Sequence, residues 1–114
     1  MDHPNIISLN EYFHEEGYSF IVMEIVSGGD LHQDLLKDKA GFDETKTRKV
    51  MNHIMRAVNY MHNKGVLHRD LKPENFVIDG KEGVIKLIDF GTAINLEHGK
   101  SIKDGSYKTA YGIS

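Results

Sequence analysis

An α+β fold is expected from three features of the chain. Tyr18 to Val26 is apolar almost throughout and rich in β-branched and aromatic residues, which reads as a strand. Asp43 to about Asn63 carries apolar residues at helical spacing. Short β-type pieces then follow at Val66-Leu67, Phe76–Ile78 and Val84–Ile88.

The elements follow in order from local chemistry. His3-Pro4-Asn5-Ile6-Ile7 is a turn leading into an apolar segment through Leu9, and Tyr12 and Phe13 continue it as strand. Glu15-Glu16-Gly17 is a polar hairpin turn. The run from Tyr18 to Val26 lacks polar alternation, which predicts a strand buried on both faces. Ser27-Gly28-Gly29-Asp30 ends it, and Asp30 is placed to cap a short helix carrying Leu31, Leu35 and Leu36. In the long helix Val50, Ile54, Val58 and Met61 form the apolar stripe, widened by Met51 and Met55. Asn52, Arg56, Asn59 and Asn63 fill another face, and Gly65 is the expected stop. Asp79 to Gly83 joins the last two strands, and beyond Gly91 the chain turns polar and irregular.

Composition narrows the functional classes. With 114 residues, 39% hydrophobic and 27% charged, the chain fits one small globular unit without repeats. A net charge of −3 gives no bulk attraction to nucleic acid or to a membrane surface. The absence of cysteine excludes disulfides and thiolate metal sites. Without a membrane-spanning run or a signal-peptide pattern, a cytoplasmic or nuclear location is expected.

The chemistry concentrates in His68-Arg69-Asp70-Leu71-Lys72-Pro73-Glu74-Asn75 and in Asp89-Phe90-Gly91. Asp70 is a carboxylate able to accept a hydroxyl proton, and Lys72 supplies a cation two residues on. Asn75 and Asp89 offer hard oxygen ligands of the kind Mg²⁺ takes alongside phosphate oxygens. A lone aspartate is usually a turn residue bonding its own backbone. Four such groups in order make a phosphoryl-transfer set. The methionines of the long helix read as core, and His32, His53, His62 and His98 lack ligand spacing and read as structural or solvent-facing. Lys100, Lys103 and Lys108 read as a solvated loop face among the hydroxyls Ser101, Ser106 and Tyr107.

These two motifs, with the segments before them, resemble the middle of a eukaryotic protein kinase domain of Ser/Thr type. Within that group the chain is most similar to the calcium/calmodulin-dependent and calcium-dependent protein kinases, through Gly28-Gly29-Asp30-Leu31, Lys72-Pro73-Glu74-Asn75-Phe76 and Thr109-Ala110-Tyr111. The resemblance covers nearly the whole chain. It implies a partial kinase-like α+β fold over residues 1–114. Residues 1–26 would be the end of the small lobe and the hinge, and residues 27–114 the start of the large lobe through the activation segment.

It also implies roles. Asp70 would orient the substrate hydroxyl and take its proton, Lys72 would approach the transferring phosphate, and Thr109 would bridge Asp70 and Lys72. Asn75 and Asp89 would hold Mg²⁺. ATP would meet Met23 as gatekeeper, the backbone of Glu24 and Val26, and a floor of Val77 and Ile88. Asp30 would touch ribose, and with Glu74 would attract a basic residue upstream of the phosphoacceptor in a protein substrate. Phe90, His68 and Leu9 would stack in a column linking the lobes, and Arg69 would pair with an activation-loop phosphate.

The same resemblance places the Gly-rich loop, the ATP-anchoring lysine and its glutamate partner before residue 1. Lys108 stands where glycine is usual, and Ser114 where Ala-Pro-Glu would begin. No EF-hand loop is present. The expectation is a kinase segment with little activity and marginal folding alone, completed by missing kinase segments or a regulatory partner. The alternative is a non-catalytic binding segment or pseudokinase. Lys72, Pro73, Glu74 and the intact Asp89-Phe90-Gly91 argue against a small-molecule phosphotransferase.

Overall fold

The computed structural model describes residues 2–80 and 82–95. In chain order they form β1 (Leu9–Glu15), β2 (Tyr18–Met23), α1 (Leu31–Leu36), α2 (Glu44–Asn63), β3 (Val66–Leu67), a 3-10 turn (Pro73–Asn75), β4 (Phe76–Asp79), β5 (Val84–Leu87) and β6 (Ile94–Asn95). The strands pair as three antiparallel ladders, β1 with β2, β3 with β6 and β4 with β5.

Both helices start where their caps dictate. Asp43 Oδ1 accepts the Lys46 N–H at 2.8 Å, and Asp30 Oδ1 accepts the Gln33 N–H at 2.7 Å. Gly65, at φ 74°, follows the end of α2. The stripe on α2 is narrower than expected. Val50, Ala57 and Met61 are buried and Ile54 and Val58 partly so, whereas Met51 and Met55 are 46% and 56% exposed. These two methionines are therefore not core. With Leu31, Leu71 and Phe76 they line an apolar groove of about 440 Å³ behind Leu71–Pro73.

The core joins α2 to the β4–β5 ladder. Ile6, Leu31, Val50, Ala57, Met61, Phe76, Ile85 and Leu87 form it. Each large apolar side chain taken fully from water contributes about 1.5–3 kcal/mol. The segment before β1 is sewn onto β5: the Asn5 carbonyl accepts the Leu87 N–H, the Ile7 N–H donates to the Leu87 carbonyl, both at 2.9 Å, and Asn5 Nδ2 donates to the Ile85 carbonyl at 2.9 Å. Across the ladder, His53 Nδ1 accepts the Ile85 N–H at 3.1 Å.

The largest departure concerns the β1–β2 hairpin. Its turn is as expected, with Glu16 at φ 51° and Gly17 at φ 80°, the positive pair that a tight hairpin needs. The strand ends at Met23, however, and is exposed along its whole length, with Tyr18 at 69% and Ile21 at 56%. The expectation of burial on both faces fails because, among the described residues, β2 pairs with β1 and no layer covers either face. Past the hairpin, Gly28 lets the chain lie against β4: a Cβ there would stand 1.8 Å from the Ile78 carbonyl oxygen. The Ile78 N–H then donates to the Gly29 carbonyl at 3.0 Å, and Asp30 bridges to Val77.

Candidate active site

The β4–β5 ladder fixes the geometry of the site. Phe76 pairs with Leu87, so the residues just outside the ladder, Asn75 and Ile88, face each other, and the Ile88 N–H donates to the Asn75 carbonyl at 2.9 Å. Strand register thereby sets Asn75 opposite Ile88, the residue before Asp89. The 3-10 turn delivers Asn75 to this position, opened by Pro73, whose missing N–H costs nothing there.

Asn75 is 6% exposed and its Nδ2 donates to the Asp70 carbonyl at 2.9 Å. That bond commits the amide nitrogen and turns Oδ1 into the remaining acceptor. Asp70 holds its carboxylate 3.3 Å from Lys72 Nζ. Asp89 is exposed, and its Oδ1 accepts the Gly91 N–H at 2.8 Å, the bond of a local aspartate turn. Asn75 is thus tied to the loop bearing Asp70 through Nδ2, and Asp89 through its carbonyl on His68, and the two bring one amide and one carboxylate as oxygen donors. They fit Mg²⁺ as hard donors that leave most of its coordination sphere to water and phosphate. Among the described residues no group of three or more His, Asp or Glu side chains is arranged to hold a metal, so a protein-only cage is not on offer.

His68 ties the two loops together in a way the motif spelling did not show. It is 3% exposed, its Nε2 bonds the Asp89 carbonyl, and its Nδ1 accepts the Asp70 N–H at 3.1 Å. The carbonyl requires a donor at Nε2 and the amide an acceptor at Nδ1, so one neutral tautomer satisfies both. Its ring meets Phe90 edge-on at 5.6 Å. The expected contact of His68 with Phe90 is present, though edge-on rather than stacked, while Leu9 lies on the hairpin, 60% exposed and outside the core cluster. Arg69 sits at φ 74°, a costly conformation for a residue with a Cβ. It is held there by Arg69 Nε donating to the Thr92 carbonyl at 2.6 Å and by Thr92 Oγ1 donating to the His68 carbonyl at 2.9 Å.

The remaining expected positions are distributed as follows. Met23 closes β2 and is 39% exposed. Glu24 and Val26 lie in the irregular segment after it, with Glu24 N–H donating to the Ser8 carbonyl at 3.0 Å. Glu24 Oε1 lies 2.9 Å from Lys86 Nζ, a bond that, with the Ser8 N–H behind it, draws the Glu24 carboxyl below its ordinary pKa. Val77 is on β4 and Ile88 just after β5, both half-buried. Asp30 spends Oδ1 on its helix cap, and Glu74 meets His32 Nδ1 at 3.2 Å with both side chains 45% exposed. His53 is structural and His32 faces solvent, in keeping with the expectation that these histidines are one or the other. Thr109, His98, Ser101, Ser106, Tyr107 and the lysines at 100, 103 and 108 lie outside the described residues. No helix among the described residues is long and apolar enough to cross a membrane.

Comparison with known proteins places this geometry in context. The protein kinase domain family matches residues 1–112. The chain is similar to calcium-dependent protein kinase 4 of Plasmodium berghei, at 37% identity over 117 residues and 100% of the chain. It is similar to CBL-interacting serine/threonine-protein kinase 17 of Arabidopsis thaliana, at 41% over 112 residues and 98% of the chain. It is also similar to the human SNF-related serine/threonine-protein kinase, at 35% over 111 residues and 97% of the chain. The chain spans 22%, 25% and 14% of the lengths of these three curated relatives.

Proposed function

We propose, from the premise that this chain belongs to the protein kinase family, that it is the hinge, catalytic-loop and metal-turn part of a serine/threonine kinase. The reaction would move the γ-phosphate of ATP to a Ser or Thr hydroxyl of a protein. The observation that supports this most is the convergence of Asp70, Lys72, Asn75 and Asp89 through His68 and the β4–β5 register. Residues 1–26 would close the small lobe and form the hinge, and residues 27–114 would begin the large lobe and run through the activation segment.

In this reading the Asp70 carboxylate orients the acceptor hydroxyl and takes its proton, with Lys72 Nζ 3.3 Å from it and facing the incoming phosphate. Asn75 and Asp89 hold Mg²⁺, which when bound neutralises phosphate charge. The backbone of Glu24 and Val26 bonds adenine beside Met23, over Val77 and Ile88. Thr109 steadies Asp70 and Lys72, and Arg69 answers to phosphate on the activation segment. Glu74, half-exposed and 3.2 Å from His32, would with Asp30 favour a substrate with a basic residue before the phosphoacceptor.

The test is transfer of labelled γ-phosphate from ATP with Mg²⁺ to a Ser-containing peptide with an upstream arginine, using the native polypeptide that carries this segment. Asp70→Ala lowers kcat at least ~10²-fold. Equal turnover by the variant would falsify the assignment. One observation favours a second reading, a non-catalytic binding segment: the β1–β2 hairpin exposes apolar side chains on both faces, Tyr12 and Ile21 on one and Tyr18 and Phe20 on the other. That reading predicts partner binding without phosphate transfer.

A further inference from the structure

Lys86 stands at a junction that the catalytic motifs do not include. It pairs in register with Val77 on the β4–β5 ladder, so both side chains share one face, while Phe76, Leu87 and Ile85 face the core. A cation therefore stands on the same face as the floor proposed for adenine. It precedes Asp89 by three residues, about 10 Å along a strand.

Its partner is the segment that would receive adenine. Lys86 Nζ lies 2.9 Å from Glu24 Oε1, with the two side chains 15% and 30% exposed. The same oxygen accepts the Ser8 N–H at 3.0 Å, and the Glu24 N–H returns a bond to the Ser8 carbonyl at 3.0 Å. Ser8 follows Ile7, whose N–H is bonded to the Leu87 carbonyl. A closed ring results: β5, residues 5–8 and Glu24 are each fastened to the other two. Glu24 cannot slide along β5 without breaking a charged bond and two backbone bonds together.

We propose that Lys86 is a positioning residue for the nucleotide: through Glu24 it fixes the backbone of residues 24–26 at a set distance from Asp89. One strand then registers the adenine end and the metal end of the same ATP. The inference rests on the reading that adenine meets the Glu24–Val26 backbone. Removing the cation leaves a partly dry carboxylate without its counter-charge, which turns toward water and takes the segment with it. Ground-state binding of ATP suffers, whereas the chemistry at Asp70 does not pass through this pair.

The experiment is a calorimetric titration of Mg·ATP into the native polypeptide that carries this segment, as wild type, Lys86→Met, Lys86→Arg, Glu24→Gln and the Lys86→Met/Glu24→Gln double variant. Hydrogen exchange at the Glu24 amide supplies a readout without nucleotide. Expected are an affinity about tenfold weaker in Lys86→Met, largely restored in Lys86→Arg, and a double variant no worse than either single one. In the native polypeptide KM for ATP rises while kcat holds. Where Lys86→Met loses the fold, Glu24→Gln carries the same test. Equal affinity in wild type and both neutralised variants overturns the proposal. Absence of Mg·ATP binding by wild type overturns the kinase reading instead, and exchange then decides the coupling. Faster exchange at Glu24 with unchanged exchange at Ile85 sustains the junction, and equal rates at Glu24 sink it.

Discussion

Asn75 offers the sharpest test of how the loop bearing Asp70 is held. Its Nδ2 donates to the Asp70 carbonyl at 2.9 Å from a side chain that is 6% exposed, so Asn75→Ala strips a part-buried carbonyl of its donor. Leaving such a group unpaired costs about 1–3 kcal/mol. With a urea slope of ~1.5 kcal/mol per molar for a small domain, a loss of ~2 kcal/mol lowers the unfolding midpoint by ~1.3 M. Asn75→Asp separates the hydrogen bond from packing, because it keeps the shape and an oxygen for metal but sets an acceptor against an acceptor. At neutral pH it is more damaging than alanine. Folding then favours the protonated acid, whose O–H donates again, so the folded pKa of the introduced carboxyl lies above its unfolded value. Stability returns as pH falls through that raised value, and the Asn75→Ala deficit does not change with it. The assay is urea unfolding of the purified chain followed by far-UV circular dichroism at pH 7 and pH 5. A midpoint within ~0.3 M of wild type for Asn75→Ala, or an Asn75→Asp deficit equal at both pH values, refutes the reasoning.

Two other perturbations read the frame around the site. Gly28→Ala would force a Cβ to within 1.8 Å of the Ile78 carbonyl oxygen, so the chain must lift from β4 and give up the Ile78–Gly29 bond. Expected is a Tm fall of about 5 °C or more with faster exchange at the Ile78 amide, and an unchanged melting curve contradicts the close approach. His53 accepts the Ile85 N–H through Nδ1, and its pKa is held below the ordinary value by burial first and by Lys49 and Arg56 second. Folding therefore favours the neutral ring: its contribution is complete above the unfolded pKa near ~6.5 and is lost as pH falls toward the folded value. His53→Gln, which keeps an acceptor that does not titrate, flattens stability between pH 7 and pH 5, and parallel pH curves for the two proteins would exclude the effect. The Glu24 carboxyl, drawn down by Lys86, loses its share only at more acidic pH, below the ordinary carboxylate value of ~4.3.

What the sequence revealed was local. The cap at Asp30, the start of the long helix at Asp43, the stop at Gly65 and the turn at Glu16-Gly17 each depend on residues within one turn of each other, and all are found where expected, Asp43 serving as the cap rather than the first helical residue. The order of Asp70, Lys72, Asn75 and Asp89 was legible for the same reason, since chemistry and spacing sufficed. Burial was not. An apolar strand such as Tyr18–Met23 is written identically whether layers cover it or not, and the coverage comes from elements distant in the chain. Met51 and Met55 were misplaced because a helical stripe fixes direction but not width; here Ala57 takes the centre of the packed face. The pairing of Ile94–Asn95 with Val66–Leu67 left no trace, being too short for a period and too distant for a turn. The bond of His68 to a carbonyl 21 residues away, and that of Glu24 to a lysine 62 residues away, are likewise invisible to spacing.

The accuracy of the site therefore comes from the β4–β5 register more than from the loops that carry its side chains. Asn75 precedes β4 and Asp89 follows β5 by two residues, so the pairing of Phe76 with Leu87 brings amide and carboxylate to one end of the hairpin. A slip of one residue would exchange the faces, driving Val77 and Lys86 toward Ile85's place in the core and separating Asn75 from Asp89. Such a slip is opposed by the Ile85 and Leu87 side chains, by His53 on the Ile85 amide, and by Asn5 and Ile7 on both polar groups of Leu87. Each restraint comes from a different part of the chain and acts on the same short strand. Loops as irregular as residues 68–75 and 88–92 can hold the geometry proposed for catalysis because both are anchored to a hairpin whose register is fixed from three sides.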